Sequence, residues 1–440
     1  MGRPAHPYLS FVPMDRKTNS RLKRMNGFKL KSGALQYAIF VSVLIAIVVF
    51  AFMSLSFLQS KLRVRSNSFK NAISNTNQAF ELTKREEVPY GIYYPKTLND
   101  LNRRTKIEKS TWGAFELLKV HSDFHNESFR KVGLMGGLVK DKPALYLQDL
   151  NRPLVLVGNT RIEGNVQLPL KGVKRGSIKG KSYYGEELIY GPIFASGGSL
   201  PSLNNRYSVL NQIDSLLEIE EIVTLESHVS SDLVNSFFDK TIVLGSHATI
   251  DSQESKFIGN LILHSDTSIY VSNESVIEDV ILSAPVIIVE EGFEGSFQAL
   301  AKDRIEIGRN CKLNYPSSLV LIDTEDEPTE NTSKQIVIQE NCDIRGVVAY
   351  FSETGKESNS SQIFVGEDST IVGEVYCELN TELKGTIQGM ISTKGFVHFQ
   401  GSASYQNHIF NGRILGDLLP EKFCGLDIGN SVKGVAKWLY

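Results

Sequence analysis

Three polar side chains at alternating positions, His121, Asp123 and His125, could hold a metal ion. Alternate residues of a β-strand project from the same face, so all three would point the same way. Imidazole nitrogens and a carboxylate are ligands that zinc and other transition metals accept. The three also lie beside a predicted turn, where polar residues are expected anyway, and a polar turn is the favoured interpretation. We predict no metal site and no cofactor.

A basic, glycine-rich stretch is the second candidate site. It contains no acidic residue before Glu186. Its five cations are Lys171, Lys174, Arg175, Lys179 and Lys181. With Tyr183 and Tyr184 beside it, this stretch could bind an anionic polymer or an acidic partner. The alternative is a solvated loop, which is the commoner role of such a run of charges.

Signals for catalysis and for nucleic-acid binding are absent from the sequence. Its 440 residues contain no nucleophile motif, P-loop or dinucleotide fingerprint. The net charge of −2 argues against nucleic acid as a partner, because phosphate binding needs a concentrated basic surface. The four cysteines are 31, 35 and 47 residues apart, whereas zinc sites need closely spaced pairs. We therefore predict that the protein is not an enzyme.

An uncharged segment from Gly33 to Ser60 is long enough to span a membrane as a helix. A cleaved signal peptide is the rival, but the apolar stretch is longer than usual and lacks a clean small-x-small site. Eight Lys or Arg residues precede Ser32, twice the number in the flank that follows. The positive-inside rule therefore predicts a basic cytoplasmic segment over residues 1–32 and a transmembrane helix over 33–60.

Apolar residues continue past the membrane segment at helical spacing. Leu62, Phe69, Ile73 and Phe80 follow each other at intervals of 7, 4 and 7 residues. This spacing places them on one stripe and predicts a helical stalk over residues 61–87. The stripe must pack on a partner helix or on the protein's own domain, so Phe69, Ile73 and Phe80 are candidate partner-binding residues.

An internal repeat marks the C-terminal half. Five nine-residue segments align without gaps, beginning at Ile242, Ile269, Ile305, Ile336 and Ile363, and a sixth, one residue shorter, begins at Val155. Each of the five has apolar residues at its first, third and ninth positions. The seventh position is small: Ala248, Ser275, Cys311, Cys342 and Ser369. Period-two alternation followed by a small inward residue is what one edge of a β-solenoid coil requires.

The repeat predicts a mainly β fold with a β-solenoid over residues 151–403, interrupted by an insertion at about 203–226. Before it, residues 88–150 suggest a small neck domain containing a hairpin of Phe115–Phe124 and Ser128–Leu138. After it, residues 404–440 break the pattern and are expected to cap the last coil. Cys311 and Cys342 would be buried small residues, and whether the cysteines form disulfides stays open.

The stretch Ser361–Gly389, SQIFVGEDSTIVGEVYCELNTELKGTIQG, resembles the polymer-forming β-helix of bactofilins. The resemblance covers about residues 334–395 and implies a structural role. The chain differs from that family in its inter-coil loops and its transmembrane helix. One long N-terminal apolar helix followed by a β domain also resembles pilins and pseudopilins.

The function expected from these features is structural. We predict a single-pass protein of the cell (inner) membrane, with a cytoplasmic N-terminus and a large C-terminal domain on the exoplasmic or periplasmic side. It would be a non-catalytic scaffold that presents a β-solenoid to protein partners in the membrane or envelope, alongside a pilus-like or secretion assembly, with self-association as a further option. The alternative is a carbohydrate-binding or carbohydrate-cleaving β-helix.

Overall fold

A computed structural model describes residues 32–100, 103–138, 142–213, 222–224, 232–324, 334–353, 358–429 and 431–440. The chain divides into two compact units, Met1–Val64 and Arg65–Tyr440. The predicted basic segment, apart from its last residue, lies outside the described residues.

One α-helix runs from Ser32 to Arg85 without interruption, over 54 residues. Within this helix neither Gly nor Pro occurs after Gly33. The Val88-Pro89 pair that follows the helix disfavours its continuation. Lys84 and Arg85 in the last turn complement the negative end of the helix dipole. The N-terminal part of this helix is long and apolar enough to span a membrane, a property that it shares with signal sequences.

An antiparallel sheet follows the helix, and the predicted hairpin is confirmed within it. Phe115–Phe124 pairs with Glu127–Leu138 in antiparallel register. The whole sheet consists of Gly91–Tyr93, Arg103–Trp112, Phe115–Phe124, Glu127–Leu138, Cys424–Gly425 and Lys433–Leu439. The last two strands come from the C-terminal tail, so the tail completes this sheet.

The other strands form a closed, barrel-like and mostly parallel arrangement, together with two small sheets. The strands before the insertion are Leu145–Leu147, Leu154–Val157, Arg161–Glu163, Val166–Leu168, Val173–Arg175, Ser177–Ile178, Lys181–Ser182 and Ile193–Ala195. Those after it are Ile222–Thr224, Asp232–Asn235, Ile242–Ser246, Ile250–Asp251, Lys256–Gly259, Leu261–Ser265, Ser268–Val271, Val276–Val289, Glu294–Ile307, Lys312–Asp323, Gln335–Ile338, Asp343–Ser352, Ile363–Val365, Thr370–Leu383, Thr386–Gln400, Ala403–Gln406, His408–Phe410 and Arg413–Leu415. Between these groups lies a short α-helix, Arg206–Leu210, and single 3-10 turns occur at Lys96–Leu98 and Gly416–Leu418.

The predicted register of the repeat is right for its last three copies. Ile305, Ile336 and Ile363 pair in one parallel ladder. The ladder continues through Ile287 to Ile269, so a rung between the second and third copies was missed. That rung carries Phe293, a large residue, at its seventh position, where the pattern required a small one.

The register of the first copy is wrong. Ile242 pairs with Leu261, and it is Ile250, the ninth residue of that copy, that pairs with Ile269. Ala248 is consequently exposed, contrary to the prediction. The other four small residues, Ser275, Cys311, Cys342 and Ser369, are buried as predicted. The small residues of the last four copies therefore form an interior column, of which Ser275 is the first predicted member.

The spatial order of the parallel strands differs from their order in the chain. Leu145–Leu147 pairs with Ile391–Thr393 of the Thr386–Gln400 strand, and Arg161–Glu163 pairs with Arg413–Leu415. The Val155 segment therefore lies beyond the last repeat and does not precede the first. The tail does not form one cap: residues 403–415 join this end of the parallel strands, and residues 424–439 join the antiparallel sheet.

The two largest apolar clusters of the described residues lie in the Arg65–Tyr440 unit. The larger fills the interior of the parallel strands, with Leu263, Ile305 and Ile336 fully buried. The second joins the antiparallel sheet to the outer face of the parallel strands, where Phe115 and Leu300 belong to the same cluster. Described residues between 88 and 150 thus share an apolar cluster with the repeat.

Candidate functional site

The predicted stalk stripe is only partly available to a partner. Phe69 is 40% exposed, with its ring 5.9 Å from that of Phe129. Ile73 is half-buried. Phe80 is 2% exposed, and its ring meets the Trp438 ring edge-on at 4.9 Å. Phe80 therefore packs into the core of the protein's own domain, which is one of the two packing options predicted for the stripe.

A row of small residues forms the docking face of the helix. Ser68, Ala72, Thr76, Ala79 and Thr83 are all buried, at spacings of 4, 4, 3 and 4. Short side chains allow close approach to the antiparallel sheet, where Thr83 Oγ1 lies 3.7 Å from Met135 Sδ. The sequence signal was the 3.6-residue period of small residues, which a search for large apolar residues overlooks.

The basic stretch is displayed on the surface. It includes Val173–Arg175 and the short antiparallel pair Ser177–Ile178 and Lys181–Ser182. All five predicted cations are exposed, and none forms an ion pair within the described part of the chain. Arg175 donates a hydrogen bond of 2.9 Å to the Glu186 carbonyl, which fixes one edge of the surface. The arrangement can attract anions without further rearrangement.

The predicted histidine triplet lies at the turn end of the hairpin formed by Phe115–Phe124 and Glu127–Leu138. His121 Nε2 lies 3.1 Å from Asp123 Oδ1, with both side chains nearly half exposed. His125 occupies the turn with a positive φ of 53°. Over the described residues, no group of three or more His, Cys, Asp or Glu is arranged to hold a metal ion. The polar-turn interpretation accounts for these contacts.

A chain of hydrogen-bonded polar side chains on neighbouring parallel strands was not predicted from the sequence. Ser283 Oγ lies 3.2 Å from His264 Nδ1, and His264 Nε2 lies 3.3 Å from Asp266 Oδ1. His247 Nδ1 is 2.5 Å from the other carboxylate oxygen. Burial lowers the pKa of His264, whereas the hydrogen bond with His247 lowers the pKa of Asp266. These contacts depend on the strand register, which pairs His264 with Ser283. That pairing was not predicted from the sequence.

This series of polar side chains has the residue types of a hydrolytic triad, but its serine is not accessible to a substrate. Ser283 is fully buried and His264 is 9% exposed. A serine nucleophile must reach the carbonyl that it attacks, and this hydroxyl lies beneath the surface. The contacts therefore tie adjacent strands together.

Buried ion pairs join the two ends of the antiparallel sheet. Glu116 lies 2.8 Å from Lys109 Nζ and 2.9 Å from Lys433 Nζ, and Lys433 also contacts Asp427 at 3.2 Å. Burial lowers the pKa of Lys109. Burial also favours a lower pKa for Lys433, but the attraction of the neighbouring carboxylates, chiefly Glu116, is stronger. The pKa of Lys433 is therefore raised. Such pairs fix which strands meet more than they add stability.

A polar cleft of about 330 Å³ opens near Arg152 and Lys394. Side-chain amides of Asn359, Asn380 and Gln406 also line it. A carbohydrate site would offer aromatic rings for stacking and carboxylates for hydrogen bonding or catalysis. None of the described lining residues is aromatic or acidic.

Comparisons with known proteins give no family. No protein-family model matches the chain, and no curated protein does so either. Among solved structures, the chain is similar to the competence-associated pilin ComZ from Thermus thermophilus, with 10% identity over 80% of this chain and 86% of that pilin. The TM-score of 0.20 does not establish a shared fold, so this likeness carries no argument. None of these comparisons supports the bactofilin resemblance.

Proposed function

We propose that this chain is a membrane-anchored, non-catalytic structural protein of the cell envelope, with its Arg65–Tyr440 unit outside the cytoplasm. One observation carries the proposal: a single uninterrupted helix contains both an apolar, membrane-length segment and a buried docking face of small residues. The proposal favours an anchor over a cleaved signal peptide because the apolar stretch is longer than usual for a signal peptide and lacks a clean small-x-small site.

We further infer that the parallel strands are coils of a β-solenoid. The support is the in-register ladder from Ile269 through Ile287, Ile305 and Ile336 to Ile363. Side chains in such a ladder stack in columns, and the interior cluster contains residues from every rung. Coils that share one core and one covering sheet make a rigid body, which suits a scaffold.

The basic stretch is the surface that we assign to partners. The five cations are exposed and form no ion pairs with the described residues, so their positive field is free to attract acidic protein surfaces or anionic envelope polymers over several ångströms. Protein partners in the membrane or envelope, including copies of this chain, are the occupants that the scaffold role implies.

Cross-linking of the full-length protein in its membranes tests this assignment. The triple variant Lys171→Glu, Lys174→Glu and Lys179→Glu should lose cross-linked partners that the unchanged protein retains. The matched control Lys240→Glu, Lys256→Glu and Lys422→Glu makes the same change in charge at exposed lysines elsewhere. Equal losses from both triples would show that only net charge matters. Unchanged cross-linking in the first triple would remove the basic stretch as a partner surface.

Carbohydrate binding or cleavage remains the alternative from another class. If the protein were a hydrolase, loss of one essential carboxylate would lower its rate by about 10²-fold or more. The scaffold role predicts that alanine at Asp251, Glu278 or Asp303 leaves partner cross-linking unchanged. Asp279 is unsuitable for this comparison, because it lies 2.7 Å from Lys437 Nζ and is largely buried.

A further inference from the structure

Two cysteines lie side by side in the interior column of the parallel strands. Cys311 and Cys342 are 1% and 2% exposed, and each directly precedes a strand. Lys312 pairs with Asp343 in parallel register, and the Asp343 amide donates a 2.9 Å hydrogen bond to the Cys311 carbonyl. That bond places Cys311 and Cys342 as direct neighbours on successive rungs.

The spacing of a parallel ladder suits a disulfide. Adjacent strands lie about 4.8 Å apart, and disulfides join Cα atoms about 4.4–6.8 Å apart. Both cysteines follow an asparagine in the left-handed conformation, Asn310 and Asn341 with φ of 59°, so their backbones enter the column in the same way. Each thiol donates a hydrogen bond to a backbone carbonyl, Cys311 Sγ to that of Glu290 at 3.1 Å and Cys342 Sγ to that of Gly308 at 3.0 Å.

We propose that Cys311 and Cys342 form an inter-coil disulfide when the chain folds outside the cytoplasm. This inference rests on the exoplasmic location proposed above, because disulfides persist in oxidising compartments and are rare in the cytosol.

The bond forms by thiol–disulfide exchange with an external disulfide, such as that of an oxidoreductase or oxidised glutathione. The Cys342 thiolate attacks one sulfur of the external disulfide and releases the first external thiol. The Cys311 thiolate then attacks Cys342 Sγ in the mixed disulfide and releases the second. Two protein thiols are oxidised, one external disulfide is reduced to two thiols, and the exchange occurs before the column closes over both sulfurs.

The remaining cysteines lack this arrangement. Cys377 pairs with Tyr350 and Thr393, and Cys424 pairs with Leu138. Neither residue has a cysteine as its neighbour on an adjacent strand, so both are expected to remain thiols.

Differential alkylation of the full-length protein tests the proposal. Cells are quenched in acid, denatured and treated with N-ethylmaleimide, then reduced and treated with heavy-isotope N-ethylmaleimide. We expect heavy label on Cys311 and Cys342 and light label on Cys377 and Cys424. In Cys311→Ser the label on Cys342 should become light, whereas Cys377→Ser should leave both heavy labels in place.

A refolding experiment separates failure of the bond from failure of the topology. The full-length protein is unfolded in detergent and urea, then refolded with oxidised and reduced glutathione. A Cys311–Cys342 bond in this experiment but not in cells would support the inferred pairing and contradict the exoplasmic location. Light label on both cysteines after refolding would overturn the inference itself.

Discussion

Truncation of Phe80 is the sharpest test of how the stalk helix is held. Its ring is 2% exposed, contacts Trp438 at 4.9 Å and belongs to a cluster with Ile107 and Leu118. Phe→Ala in a packed core costs about 3–5 kcal/mol. Phe69→Ala is the matched control on the same helix. Because Phe69 is 40% exposed, its truncation should cost about 1 kcal/mol.

Guanidinium unfolding of the full-length protein in detergent, followed by tryptophan fluorescence, measures both costs. Trp438 reports directly on the Phe80 contact, and a shift of midpoint without a change of slope would identify a loss of stability. Equal costs below about 1 kcal/mol for the two variants would refute the docking of the helix through Phe80. Partner contacts on the stalk should therefore be tested at Phe69 and Ile73, since a change at Phe80 affects folding as well.

Three further predictions address the interior column, the polar chain and the docking face. Ser275→Lys should cost several kcal/mol by burying an unpaired charge, whereas Ser275→Ala should cost about 1 kcal/mol; equal small costs would place the column in solvent. The unfolded chain takes up a proton near pH 6.5, whereas burial lowers the pKa of folded His264, so the free energy of unfolding should fall as pH drops below about 6.5 and level off once the folded histidine is protonated. His264→Asn should reduce that slope; a slope equal to that of the unchanged protein would contradict the assignment. Ala72→Leu should cost about 1–3 kcal/mol by overpacking the helix against the sheet, and a neutral result would argue against close packing there.

The sequence was most informative where the structure depends on local periodicity. Apolar runs predicted the long helix, and alternation predicted the hairpin at Phe115–Phe124 and the ladder through Ile305, Ile336 and Ile363. These features follow from neighbours within a few residues. The two thiols of the candidate disulfide could likewise be placed in one column from the repeat alone.

The errors arose where long-range pairing decides the structure. Period-two alternation fits both Ile242 and Ile250 as partners of Ile269, and only inter-strand hydrogen bonding selects Ile250. The rung that carries Phe293 was not predicted, because the pattern required a small residue at a position where the interior column accommodates a large one. The placement of Leu145–Leu147 beyond the last repeat has no local signal. The polar chain through His264 and Ser283 depended on the same register.

Membrane topology is the central claim, and cysteine accessibility tests it most directly. All four native cysteines are buried, so a single introduced cysteine can be labelled in the otherwise unchanged protein. Tyr207 is 81% exposed, and Ser20 precedes the apolar helix. With an impermeant maleimide, in cells whose outer barrier has been opened, Tyr207→Cys should be labelled and Ser20→Cys should react only after detergent is added. Shielding of Tyr207→Cys after the outer barrier has been opened, with Ser20→Cys labelled or not, would contradict a scaffold that lies outside the cytoplasm.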